Sequence, residues 1–236
     1  MAAFRLGVKT FHKGAAASHS QYISRQKING PQDLITRGHQ NLPPFANDDA
    51  QTFWKAADKY ERANGSAARE YVVSLPKELP DEQNVALALR LVHLLASNRP
   101  CEFALHRPVG AISGEEHPHV HIQTSERPSD GIDRTPEQHF RRANAENPAL
   151  GGARKLSGGK TPLQMKIELQ KTRAQVAEEI NRTLSEAGLP QRVDHRSNRE
   201  KGIQKTPERR LHPAAVRQLS EHERELIRQA RRLGSK

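Results

Sequence analysis

The sequence predicts an α+β domain: a central antiparallel sheet with helices on its faces, continued by a helical, basic C-terminal segment. Three observations predict it. Strand-like runs alternate with helix-period runs along the chain. Two of the strands, 101–108 and 119–126, are joined by "VGAISGEEHP", whose two glycines suit a hairpin connection. The charge is unevenly placed: residues 1–140 hold 16 Lys/Arg and 16 Asp/Glu, whereas residues 141–236 hold 22 and 11. The whole net charge of +11 therefore sits at the back. A neutral front and a basic back suggest a domain that bears chemistry, followed by a region that binds a polyanion; a solvated helical surface is the plainer reading. With 34% hydrophobic and 28% charged residues, one modest core is expected rather than two. The expected division is 1–187 for the catalytic domain and 188–236 for the basic segment, packed on the same domain.

"AAFRLGVKTF" (2–11) reads as a first strand, and "AAASHSQYISRQ" (15–26) as a helix of small and polar residues. Residues 29–49, with Pro-Pro and Asp-Asp, read as a long loop. A helix over 49–65 stops at Gly65, and a strand over 69–76 stops at Pro76. In 81–97, Val85, Ala88, Leu89, Val92, Leu95 and Ala96 fall on one helical face, with Asp81 and Glu82 in the first turn. After the two later strands come a short helix at 135–144, started by Thr135 and Pro136, and a Gly- and Lys-rich loop at 147–160. A helix over 162–187 is closed by Gly188. Residues 193–213 are irregular and basic, and 214–233 read as a final helix.

Several classes are excluded. A single cysteine, Cys101, leaves no intramolecular disulfide and no multi-thiolate zinc site, and it suits a reducing cytoplasm. No run of 18 apolar residues exists, so no membrane insertion is expected. The N-terminus lacks an apolar signal core.

The segment "EEHPHVHIQTSERPSDGI" (115–132) places His117, His119 and His121 at every second position. Side chains of a strand alternate faces, so His119 and His121 point the same way. Two imidazoles so placed can share a metal ion. His106, in "FALHRP", can sit beside them if 101–107 and 119–125 pair antiparallel. Three neutral nitrogens leave coordination positions open, as a catalytic metal requires. Imidazole ligands favour transition ions over Mg by softness, though availability can override this. Two other readings stay open at this point. The row can be the polar face of a strand. H-P-H-V-H-I-Q also comes close to the histidine triad of HIT nucleotide hydrolases, in which His119 would be the nucleophile.

A metal at this place would polarise an anion, and the basic C-terminal third suggests the phosphate of a nucleic acid. The attacking group is water or a side chain. Of the three tyrosines, Tyr60 and Tyr71 sit in contexts that suit packing. Tyr22 lies among small polar residues with few apolar neighbours to bury it.

The chain resembles the MobA/MobL relaxases of the MobQ group, plasmid mobilisation proteins among the HUH endonucleases. The resemblance is carried by "SQYISR", "FWKAADKYERANG", "REYVVSLP", "HPHVHIQTSERPSDGIDR", "NPALGGARK" and "RVDHRSNREKGIQKTP", in that order over nearly the whole length. It implies a metal-dependent enzyme that nicks single-stranded DNA at a plasmid transfer origin through a 5′-phosphotyrosyl intermediate and rejoins it during conjugative mobilisation. It implies His106, His119 and His121 as metal ligands and Tyr22 as nucleophile. His117 stands at a place that is asparagine in relatives with N-P-H, and is not counted as a ligand. Glu70 matches an acidic position and would orient a histidine or help take the phenol proton. The metal would be Mn or Mg, with Zn a further candidate. The partners implied are the origin single strand and hairpin, accessory nicking proteins and a type IV secretion system. The protein would act in the cytoplasm and could travel with the DNA into a recipient cell. His195 and Arg196 match a family block without a role assigned.

With only 10 Phe, Trp and Tyr in the chain, phosphate and base-edge contacts should outweigh stacking on DNA. Arg127, Arg134, Arg141, Arg142 and Arg154 follow the histidine strand and are candidates to line the DNA path, or are surface solubilising charges. A non-catalytic DNA-binding module, with structural histidines, remains the third reading.

Overall fold

Alternation along two neighbouring strands sets the architecture. The computed structural model describes residues 4–26, 33–204, 211 and 213–233. The elements are β1 (Leu6–His12), α1 (Ala16–Ile23), β2 (Leu34–Gln40), α2 (Ala50–Tyr60), β3 (Ser66–Ser74), α3 (Asp81–Ala96), β4 (Cys101–His106), β5 (His119–Thr124), α4 (Pro136–Phe140), α5 (Pro162–Glu186), α6 (Pro213–Gln218) and α7 (Glu221–Leu233). Residues 2–3 of the first predicted strand, 29–32 of the predicted loop, and 205–210 and 212 of the basic stretch lie outside the described residues.

All pairings in the five-stranded sheet are antiparallel, and the order is β1-β3-β5-β4-β2. The histidine strand β5 is therefore the middle one. On β4 and β5, Phe103, Leu105, Val120 and Ile122 face one way, into a core completed by Leu87, Leu91 and Leu95 of α3 and by Val176, Ile180 and Leu184 of α5. The intervening residues face the other way: Glu102, Ala104 and His106 on β4, and His119, His121 and Gln123 on β5. Alpha helices α1 and α2 cover part of that second face through a smaller core of Phe11, Ala16, Phe53, Trp54, Ala57 and Phe140.

Two differences from the sequence reading have local causes. The stretch read as loop contains β2, an edge strand paired with β4. Its residues LITRGHQ carry little apolar alternation because an edge strand has one neighbour and less to bury. Gly38 makes room there for the Phe103 ring of the paired strand: a Cβ would stand 2.8 Å from its Cζ, and the ring would have to shift. The last predicted helix is two helices. Ser220 restarts the chain with a capping box, its Oγ accepting from Glu223 N and its own N–H donating to Glu223 Oε2 at 2.7 Å.

The chain divides into two compact units. One holds the residues up to His106 with Pro118–His195; the other holds Arg107–His117 and the residues from Arg196 on. In the second unit a bridge joins Val109 and Glu116, and Arg228 of α7 donates to Ile112 O at 2.9 Å.

The loops after β5 are held by buried charge. Arg127 pairs with Glu61 at 3.1 Å and donates to the carbonyls of Phe140, Arg141 and Ala153. Lys155 reaches the same Glu61 carboxylate at 3.1 Å. His139 is buried among Phe45, Phe53 and Phe140. Burial, helped by the charges of Arg127 and Arg134, pushes its pKa down to about 4 from 6.5. The unfolded chain therefore takes up this proton first as pH falls. Above about pH 6.5 the residue costs nothing; stability is lost between 6.5 and 4, by about 3 kcal/mol at most. Urea unfolding at pH 7 and pH 4.5 should show this loss, and His139→Phe should reduce the difference between the two.

Candidate active site

Helix α1 is placed by groups from three other elements. The Asp58 carboxylate of α2 accepts from the backbone N–H of Gly14, Ala16 and Ala17 at 2.8, 3.0 and 2.8 Å, occupying donors that the helix start leaves unpaired. Gln123 of β5 donates to Ala16 O at 3.0 Å. Buried Glu102 of β4 accepts from Ser20 Oγ and from Trp54 Nε1, the latter at 3.1 Å. Burial pushes the pKa of Glu102 up, against the pull of those two donors. The helix cannot slide along the sheet without breaking several of these bonds at once.

So fixed, α1 presents His19 and Tyr22 one turn apart on the same side. Tyr22 is 51% exposed. Its ring lies 5.9 Å from that of His19, and the Arg25 guanidinium lies 5.1 Å from the phenol ring centre.

Beneath the helix, His106 of β4 is the direct cross-strand partner of His119. Residues so opposed share a face. The His106 ring centre lies 5.6 Å from that of His119 and 5.3 Å from that of His121. His121 is opposite Ala104, a small residue that leaves space for imidazoles.

The Glu70 carboxylate of β3 is the hinge of the polar network. One oxygen, Oε1, lies 2.6 Å from His121 Nδ1 and 2.6 Å from His19 Nε2. Burial alone would raise the Glu70 pKa, but the hydrogen bonds from His121 and His19 outweigh it and hold the value at about 2. An ionised carboxylate only accepts, so both rings must donate. The neutral tautomer of His121 then carries its lone pair on Nε2. That Nε2 lies 3.1 Å from His119 Nε2. Ligand nitrogens about 2.1 Å from a common metal stand roughly 3.0–3.4 Å apart, so this pair fits a cation.

His106 behaves differently. Its Nε2 contacts Ile23 O at 2.8 Å, and its buried Nδ1 has no hydrogen-bond partner. Asp33 Oδ2 is 3.6 Å from that Nδ1. Burial, then the Arg25 charge, pushes the His106 pKa down to about 4, so the ring is neutral at pH 7, the state a ligand needs. Its ring is brought to the pair, but its nitrogens do not complete the closest set. Among the described residues, the group whose donor atoms all lie within 4.8 Å of one another is His19, Glu70 and His121.

The arginines separate into two kinds. Arg127 and Arg134 are buried. Arg134 pairs with Asp130 at 2.7 Å and donates to Gly151 O and Pro148 O. Both are committed to loop structure, which corrects their expected place along a DNA path. Arg141 is exposed and paired with Glu137. Arg142 and Arg154 are exposed. His117 lies in the other compact unit, with Nε2 2.9 Å from Ser113 Oγ.

Residues that the sequence reading missed are His19, Asp58 and the Arg25–Asp33 pair, joined at 3.0 and 2.7 Å. His19 had a usable signal, its i, i+3 spacing to Tyr22. Asp58 had none, since its partners are 41 or more residues away, and the Arg25–Asp33 pair had none, its members lying eight residues apart with no motif to join them.

The sequence pattern of the MobA/MobL family matches residues 1–221. The chain is 40% identical over 208 residues to the 43 kDa relaxation protein of Salmonella typhimurium, covering 86% of this chain and 56% of that one. It is 36% identical over 223 residues to Mobilization protein A of Escherichia coli, covering 92% and 30%. This chain thus spans about half the first relative's length and a third of the second's. A solved structure titled Molecular Basis of Vancomycin Resistance Transfer in Staphylococcus aureus superposes with a TM-score of 0.59 at 21% identity, over 83% of this chain and all of that one. The last likeness is one of fold.

Proposed function

This chain belongs to the MobA/MobL family, and we propose that it is a metal-dependent relaxase that nicks single-stranded DNA at a plasmid transfer origin and rejoins it. The observation that carries this reading is the juxtaposition across one sheet face: a half-exposed phenol on α1, linked through His19 and Glu70 to a histidine pair on β5.

The reaction is a transesterification. Tyr22 Oη forms a bond to the scissile phosphorus, the bond from phosphorus to the 3′ oxygen breaks, and the departing oxygen takes a proton to become a 3′-hydroxyl. The phenol proton leaves to a nearby base. The 5′-phosphotyrosyl bond keeps the energy of the phosphodiester, so the 3′-hydroxyl can reverse the step without ATP. His119 and His121, with His106 whose ring centre lies 5.6 and 5.3 Å from theirs, would hold the divalent metal in an HUH arrangement. Such an ion, when bound, withdraws charge from the non-bridging phosphate oxygens. Glu70 fixes the ring and tautomer of His121. Supports for the ligand set are the 3.1 Å separation of the two Nε2 atoms and the neutral His106 ring, centred 5.3–5.6 Å from theirs. Mn or Mg suits the reading, and Zn is compatible with the same donors. The 5′-linked protein would escort the strand toward a secretion channel, with accessory nicking proteins at the origin. No described helix is long and apolar enough to cross a membrane.

The test is incubation with a single-stranded origin oligonucleotide and Mn or Mg, followed by a denaturing gel. A slow, protease-sensitive DNA band that chelator prevents is expected. Free cleaved strands without a protein adduct would point to a hydrolytic nuclease instead.

The exposed arginines give a separate prediction. Arg142→Ala and Arg154→Ala should each weaken DNA binding and lower the salt slope by about one charge. Arg127→Ala should instead lower the melting temperature, at a cost of about 1–3 kcal/mol, because it removes one of the two cations on buried Glu61, leaving Lys155, and takes the donor from three loop carbonyls. Fluorescence titrations at several salt concentrations, with melting curves alongside, separate the two.

A further inference from the structure

We propose that His19 is a positioning residue that holds the Tyr22 ring in its reactive orientation; this rests on the reading of Tyr22 as nucleophile. The His19 ring stacks on Phe11 of β1 at 4.2 Å and 27°, and on Tyr22 at 5.9 Å and 26°. Its Nε2 is tied to Glu70 Oε1 at 2.6 Å, the same oxygen that holds His121 Nδ1 at 2.6 Å. The imidazole is thus fixed twice: by its edge to the sheet that bears the histidine pair, and by its face to a buried phenylalanine.

Apart from His19, Tyr22 meets the Arg25 side chain, which lies 5.1 Å from its ring centre and also interacts with its phenol, and the ring is half open to solvent. An exposed aromatic side chain samples several rotamers. In-line attack needs one of them, and misplacement by about 1 Å can cost roughly 100-fold in rate. The column Phe11–His19–Tyr22 supplies that restraint, and Glu70 sets its register against His121.

Three variants separate the elements of this role. His19→Ala removes both the stack and the tie. His19→Phe keeps a ring and loses the bond to Glu70. His19→Gln keeps a donor and loses the ring. Adduct formation is followed at saturating origin DNA and saturating Mn, with half-saturation by DNA measured alongside. His19→Ala is expected to slow the step by about 10–100-fold, with half-saturation within about twofold of the parent. His19→Phe and His19→Gln are expected to recover part of the rate each. An unchanged rate in His19→Ala, or a loss confined to half-saturation, overturns the proposal. Should His19→Ala fail to fold, the same split is read in the Phe and Gln variants: slowed steps at unchanged half-saturation support the role, and parent-like rates in both overturn it.

A second readout does not depend on catalysis. The chain has three tyrosines, so ring-labelled tyrosine gives a spectrum of few signals. In the ring-deleting variants the Tyr22 signal should lose its ring-current shift and become more mobile, while Tyr60 and Tyr71 stay put. A Tyr22 signal that does not move overturns the proposal, even if the parent makes no adduct. A parent without adduct but with the expected ring change instead overturns the assignment of Tyr22 as nucleophile.

Discussion

Tyr22→Phe is expected to abolish covalent capture of origin DNA, slowing adduct formation by about 10⁴-fold or more. The substitution deletes one oxygen and keeps the ring. The stack on His19 at 5.9 Å and the contact with Arg25 at 5.1 Å therefore persist. Because the side chain is half exposed, folding stability should change by less than about 0.5 kcal/mol. DNA affinity should stay within about threefold of the parent, since the substitution removes no cationic group. The measurement is a time course on denaturing gels with a parallel binding titration. Loss of chemistry with retained binding is the signature of a missing nucleophile. A parent-like adduct in Tyr22→Phe would move the covalent link to another residue.

The second large effect is expected at the histidine pair. His121→Ala removes an Nε2 that stands 3.1 Å from its partner on His119, and it removes one of the two donors to buried Glu70. Metal affinity should fall by more than about 100-fold, since loss of an outer-shell partner alone commonly costs 10–100-fold. Titration calorimetry with Mn reads this directly, without DNA. Origin cleavage should vanish with it at limiting metal. His117→Ala should leave both unchanged, because the His117 ring is engaged by Ser113 Oγ at 2.9 Å. Equal metal affinity in His121→Ala and the parent would remove the histidine pair from the metal site.

How much of this was legible in the sequence differs by residue. The sheet strands that alternate cleanly, such as Phe103 and Leu105 or Val120 and Ile122 against the intervening polar residues, announce their two faces. The pairing of His106 with His119 follows once the two strands are adjacent and antiparallel. The edge strand β2 does not announce itself, because LITRGHQ buries too little to need a pattern. Charge alone could not sort the arginines. Arg127 and Arg154 look alike in sequence, and only the fold puts Glu61 beside the first. The tie from His19 to Glu70 was hidden because it joins residues 51 apart, on a helix and a strand that only the tertiary fold brings together. The histidine row belongs to a local pattern, whereas the groups that position it belong to tertiary structure.

The most direct test of the central claim is peptide mapping of the trapped DNA adduct. After reaction with Mn and digestion of both protein and DNA, tandem mass spectrometry should place the nucleotide remnant on the Tyr22 side chain, in the peptide "QYISR". A remnant on His119, or a nucleotide on no residue while cleavage proceeds, would contradict it.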